Sequence, residues 1–134
     1  MSRRCLAHAL AKASAPLILD GAMATELEGL GVDTSTPLWS ATALAQHPDA
    51  VRAVHEAYFR AGAQVATTNT YQANIPAFTA AGWSASEADA LLQRAVTLAR
   101  EARDGGGPDG WVAGSVGPYG RIWRTAPSTR GATT

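Results

Sequence analysis

Short apolar or β-branched runs alternate with long segments of helical periodicity along most of this chain, and that order restricts the fold more than any single residue does. Leu17-Ile18-Leu19 follows Pro16 and runs into Asp20-Gly21, the pattern of a buried strand ending in a turn. Ala22 to Leu30 has helical composition and ends at Gly31. Pro48 stands where a first helical residue belongs, with Asp49 in the first turn. Val51, Val54, His55, Tyr58 and Phe59 then follow at i, i+3, i+4, i+7 and i+8, one face of an amphipathic helix that stops at Gly62. Gln64 to Tyr71 is rich in β-branched residues and predicts a second strand. Ser84 and Glu87 have the spacing of a capping box. The helix it opens buries Ala88, Leu91, Leu92, Ala95, Val96, Ala99 and Ala102 and stops at Asp104-Gly105. Trp111 to Val116 predicts a third strand, ending in Gly117-Pro118-Tyr119-Gly120.

Strands alternating with long helices imply parallel strands joined by right-handed crossovers. The fold class is therefore α/β with parallel strands. Polar sequence closes each strand, at Asp20-Gly21, Asn69-Thr70-Tyr71 and Gly117-Pro118-Tyr119, the first and last of these carrying glycine. The C-terminal ends of parallel strands are where such folds bind ligands.

Composition narrows the functional classes. Lysine plus arginine and aspartate plus glutamate number 11 each, so no excess of charge argues for nucleic acid or an anionic membrane. Hydrophobic residues at 46% and charged residues at 16% suit one globular domain of this 134-residue length. One cysteine, Cys5, excludes an internal disulfide and fits a reducing, cytoplasmic setting. The apolar run near the N-terminus is broken by His8 and Lys12, which argues against a signal peptide and a membrane span.

Three stretches carry something more specific: LILDGAMATELEGLG from Leu17, LWSATAL through HPDAVRAVHEAYFRAGAQVATTNTYQAN from Leu38 to Asn74, and VAGSVGPYG from Val112. In this order and spacing the chain resembles the opening of the homocysteine S-methyltransferase family. The resemblance implies a (β/α)8 barrel, which needs roughly 250 residues; about three βα units are present, so the implied fold is an incomplete TIM barrel. On that reading residues 1–15 form an N-terminal arm, residues 16–120 the first part of the homocysteine-binding barrel, and residues 121–134 an aberrant tail.

The family moves a methyl group from a sulfonium or ammonium donor, such as S-methylmethionine or S-adenosylmethionine, to the thiol of homocysteine. An ordinary thiol has a pKa of about 8.5 and is mostly protonated at neutral pH. Full-length members use zinc, held by three cysteine thiolates on later strands, to make the thiolate. Cys5 precedes the first strand and matches none of these ligands, and His8, His47 and His55 are expected to cap or pack. No zinc or other cofactor is expected for this chain alone. The resemblance implies substrate binding by Asp20, accepting from the homocysteine ammonium, by Gly21, where the backbone approaches the ligand, and by Thr70 and Tyr71. Asn69 is a weaker candidate, while Trp39 and Tyr119 are expected to pack near the mouth.

Beyond Gly120 the family continues with a pattern close to Ala-x-Leu-x-Asp-Gly-Ser-Glu-Tyr, whereas this chain reads Arg121-Ile122-Trp123-Arg124-Thr125-Ala126-Pro127-Ser128-Thr129. GC-rich codons for those residues, read one base earlier, encode the family pattern, so the tail is expected to be out-of-frame translation. Three readings compete: a truncated, inactive family methyltransferase; a non-catalytic barrel fragment acting through association with other chains; and an unrelated α/β barrel enzyme. The third is the weakest, since no glycine-rich phosphate loop opens a helix and no lysine follows Lys12 to form a Schiff base. An open sheet would leave an edge and a face uncovered, predicting poor solubility for the isolated chain.

Overall fold

The computed structural model describes residues 5–107 and 109–117. A short helix α1 (Leu6–Lys12) buries no residue, so the N-terminal arm carries a helical turn that its sequence did not announce. Helix α2 (Met23–Gly29) follows the first strand segment, and a 3-10 turn (Trp39–Thr42) leads into α3 (Ala43–Gln46). Helix α4 (Pro48–Arg60) has proline in its first turn and buries Val51, Val54, His55 and Phe59, while Tyr58 is only half-buried. Strand β1 (Val65–Thr67) comes next, followed by α5 (Ile75–Ala80), α6 (Ala85–Gly106) and β2 (Trp111–Ala113).

The capping box that opens α6 is present in both directions: Ser84 Oγ accepts from the Glu87 N–H, and a Glu87 carboxylate oxygen accepts from the Ser84 N–H. Of the predicted stripe, Leu92 and Val96 are only half-buried, and Leu98 and Arg103 are buried in addition. The helix meets neighbours on two sides, so its covered face is wider than one stripe. Helix α5 was not predicted. Asn74 caps it by accepting from the Ala77 N–H at 2.8 Å, and proline stands in its first turn.

Two parallel strands, β1 and β2, pair in register, with Val65 opposite Trp111 and Thr67 opposite Ala113. The predicted first strand contracts to one parallel bridge, between Leu19 and Val65, on the other side of β1. Ile18 and Asp20 extend it: the Ile18 carbonyl accepts from Gln64, and the Asp20 N–H donates to the Val65 carbonyl at 3.0 Å. The three strand segments thus lie in chain order, all parallel. The second and third strands are also shorter than their β-branched sequence suggests, because beyond the bond from the Thr68 N–H to the Ala113 carbonyl the Thr68 and Thr70 hydroxyls take over the pairing to Ser115.

The core lies among the helices. Leu27 of α2, Leu44 of α3, Val51 and Val54 of α4, Phe78 of α5, and Ala88, Leu91, Ala95 and Leu98 of α6 form one buried cluster. A smaller group, Phe59, Ala66 and Ala102, joins α4 and α6 to the sheet. Glycine is needed after α6 because a Cβ at Gly107 would lie 2.5 Å from the Phe59 ring. Ile18 and Leu19 stay 58% and 62% exposed, so the first strand contributes little to this core.

Candidate functional site at the strand ends

At the end of the first strand segment the chain turns away at Gly21, which would leave the Thr67 N–H without a ladder partner. The Asp20 side chain takes that place: its Oδ2 accepts from the Thr67 N–H at 2.7 Å. Its Oδ1 makes no hydrogen bond among the described residues. Asp20 is half-buried, so one carboxylate oxygen is anchored to the sheet while the other can serve a ligand.

Helix α4 supports this turn from below. The Tyr58 hydroxyl donates to the Ala22 carbonyl at 2.9 Å. A Cβ built at Gly21 would lie 2.7 Å from that hydroxyl, so the missing side chain is explained by Tyr58. That contact supplies a reason for Gly21 that the sequence reading, based on ligand approach, did not contain. Burial first, then the charges of Glu26 and Asp20, push the Tyr58 phenol above its ordinary range, which keeps it a donor. One turn earlier, His55 is fully buried and neither imidazole nitrogen finds a partner. Desolvation holds its pKa below the ordinary 6.5 against the opposing pull of the Asp20 charge, so it is neutral. His55 therefore packs. His47 occupies the N-cap of α4 but makes no side-chain capping bond.

The other flank of β1 is tied to β2 by hydroxyls. Thr68 Oγ1 accepts from the Ser115 N–H at 3.0 Å and shares a 2.7 Å hydrogen bond with Thr70 Oγ1. Thr70 Oγ1 donates to the Ser115 carbonyl at 2.6 Å. The Thr70 hydroxyl is thus engaged within the protein, and a ligand there would meet a half-buried residue whose donor is already used. Tyr71 follows with 44% of its surface exposed. Asn69 is buried and consumed by Ser40: its Oδ1 accepts from the Ser40 hydroxyl at 2.6 Å, and its Nδ2 donates to the Ser40 carbonyl at 2.7 Å. It pins the turn that carries Trp39, which has φ of +51° and is 58% exposed. A bulky residue in the left-handed region is strained. The indole is presented to solvent rather than packed as expected; Tyr119 lies outside the described residues, as does the tail from Arg121.

The sequence-predicted residues therefore converge at one end of the sheet, in the order Asp20 and Gly21, then Thr70 and Tyr71. Reasoning from sequence missed Thr67, Thr68, Ser40, Ser115 and Tyr58. The hydroxyl-rich run Thr67-Thr68-Asn69-Thr70 was the available signal for part of this network.

The residues do not suit a zinc ion. Among the described residues no three His, Cys, Asp or Glu side chains converge, Cys5 is exposed near the N-terminus, and His55 is fully buried on α4. A three-thiolate set does not fit a sequence with one cysteine. No described helix is long and apolar enough to cross a membrane.

Fold and site together define a parallel α/β protein with a polar rim at its C-terminal strand ends. Residues 17–133 match the family model for homocysteine S-methyltransferase, and the chain belongs to that family. The homocysteine S-methyltransferase of Escherichia coli (strain K12) is 46% identical over 121 residues, covering 86% of this chain and 39% of the relative. The selenocysteine methyltransferase of Astragalus bisulcatus is 38% identical over 139 residues, covering 90% of this chain and 41% of that protein. The crystal structure of the Escherichia coli homocysteine methyltransferase MmuM in its metallated form superposes with a TM-score of 0.76 at 43% identity, over 93% of this chain and 45% of that one. The chain spans about two fifths of the length of the curated relatives it matches.

Proposed function

We propose that these residues are the first part of a homocysteine S-methyltransferase barrel and supply its grip on the amino-acid end of the acceptor. The carrying observation is Asp20, with Oδ2 held by the Thr67 N–H and Oδ1 unengaged among the described residues. The substrate ammonium donates to Oδ1, and the anchored oxygen keeps the carboxylate from turning away. Exposed Tyr71 on the neighbouring strand end flanks the acceptor's side chain. Relatives named for homocysteine and for selenocysteine share the amino-acid end of their acceptors and differ in the chalcogen and by one methylene, which supports recognition at that end.

In the reaction the acceptor sulfur attacks a methyl carbon of a sulfonium donor, S–CH3 forms as the donor C–S bond breaks, and the thiol proton is released. Zinc, when a full-length family member binds it, lowers the thiol's pKa. The residues of this chain do not provide that donor set, so their part is binding and orientation, and the chain by itself is proposed to be inactive.

Calorimetric titration of the 134-residue chain with L-homocysteine tests this, using Asp20→Asn as the variant, since the amide retains an acceptor for Thr67. A charge-assisted hydrogen bond is worth about 1.5–3 kcal/mol, so affinity should fall roughly 10- to 100-fold. Equal affinity for the two proteins would remove Asp20 from the site.

A second reading, association with other chains, rests on the exposure of Ile18, Leu19 and Val116. Sedimentation of the purified chain separates the two: self-association or aggregation that Leu19→Lys relieves would favour it.

A further inference from the structure

The geometry points to Tyr58 as a positioning residue for homocysteine binding, acting through the Asp20-Gly21-Ala22 turn without touching the substrate. The inference rests on the reading of Asp20 given above and extends it to a helix residue beneath the site. Three observations converge. The Tyr58 hydroxyl donates to the Ala22 carbonyl across 36 positions of sequence. The same hydroxyl fills the space where a side chain at Gly21 would stand. The Asp20 backbone is pinned on its other side, by its own N–H on the Val65 carbonyl and by the Thr67 N–H on its carboxylate.

The turn is thus held between the sheet and helix α4. Strand pairing sets where Asp20 begins, and Tyr58 sets how the chain leaves it. Without the hydroxyl, the two residues after Asp20 can rotate, and rotation there swings the free carboxylate oxygen. The buried, neutral His55 one turn earlier on α4 feels the Asp20 charge but adds no positive charge of its own there. A charged partner in that position would compete with the substrate's ammonium. Glu26, on α2, is the other charge felt at Tyr58, and it too is negative.

The test compares two ligands, L-homocysteine and 4-mercaptobutyrate, which lacks the amino group. Both are titrated into the 134-residue chain and into Tyr58→Phe, Gly21→Ala, the double variant and Asp20→Asn. Tyr58→Phe should weaken homocysteine binding roughly fivefold or more while leaving 4-mercaptobutyrate unchanged, because only the ammonium uses Asp20. A general packing defect would weaken both ligands alike and would overturn the proposal. Gly21→Ala should lose homocysteine more severely, and adding Tyr58→Phe should restore part of that loss by vacating the 2.7 Å contact. Additive losses would count against the contact. If Asp20→Asn failed to distinguish the two ligands, the reading of Asp20 would fall while Tyr58 could still be judged from the ligand-free protein. There the Asp20 carboxyl carbon resonance should shift or split in Tyr58→Phe, and an unmoved resonance would dismiss the positioning role.

Discussion

Thr67 donates its backbone N–H to Oδ2 of Asp20 at 2.7 Å, so that a side chain completes a parallel ladder its own backbone has left. The bond makes Asp20 part of the sheet as well as part of the candidate site. Asp20→Ala should leave a half-buried backbone donor unpaired and cost about 1–3 kcal/mol of stability, whereas Asp20→Asn should cost much less. Urea denaturation of both variants measures the difference. Equal stability of the two would mean that the bond carries no weight in the fold.

His55 makes stability depend on pH. Its folded pKa lies below the ordinary 6.5, so the native state binds fewer protons than the unfolded chain on the acid side of that value. The stability it supports is complete above 6.5 and drains away as pH falls below it. The thermal midpoint should therefore drop between pH 7 and about 5.5, and His55→Leu should flatten that slope. A His55→Leu profile as steep as the parent's would assign the acid sensitivity to other groups.

Asn69 is expected to behave as a structural clamp. Asn69→Ala removes both of its bonds to Ser40 and releases the turn that holds Trp39 at positive φ. The loss should be about 1–3 kcal/mol. Trp39→Gly in the same background should recover some of it, since glycine adopts that φ without strain. Full stability in Asn69→Ala would show the clamp to be dispensable.

Metal and turnover give a further test. Dialysed against zinc, the 134-residue chain should retain well below about one equivalent, since a structural or catalytic site needs three or four protein ligands. It should also make no methionine from S-methylmethionine and homocysteine. Stoichiometric zinc together with product would contradict the reading of this chain as a binding fragment.

Resequencing the coding DNA after the Gly120 codon settles the tail. A one-base change that restores the family pattern is expected, and an intact frame would show the Arg121 to Thr134 segment to be genuine.

Much of the architecture was legible because it is written in local terms. Proline in the first turn of α4, the Ser84 and Glu87 capping box at the start of α6 and the i, i+3, i+4 apolar rows act within a few residues, and each produced its helix where predicted. The alternation of element types then left parallel pairing as the available sheet, and β1 and β2 pair that way. The strand lengths were not legible. β-propensity describes how a residue suits a sheet, but where pairing stops depends on neighbours distant in sequence. Here the Asp20 carboxylate, and the Thr68 and Thr70 hydroxyls bonded to the Ser115 backbone, end the ladders across 45 to 47 positions of sequence.

The candidate site divides in the same way. The sequence by itself determined the family and the residue types at the strand ends, because the order and spacing of its motifs are one-dimensional facts. Only the tertiary structure decided which of those residues are still free to meet a ligand. Thr70 and Asn69 look as suitable as Asp20 on paper, yet their polar groups are engaged by Ser115, Thr68 and Ser40, while Asp20 keeps an oxygen. The need for glycine at Gly21 comes from Tyr58, 37 residues along the chain. Hydrogen-bond satisfaction and steric exclusion are properties of what folding brings together, and no local pattern encodes them.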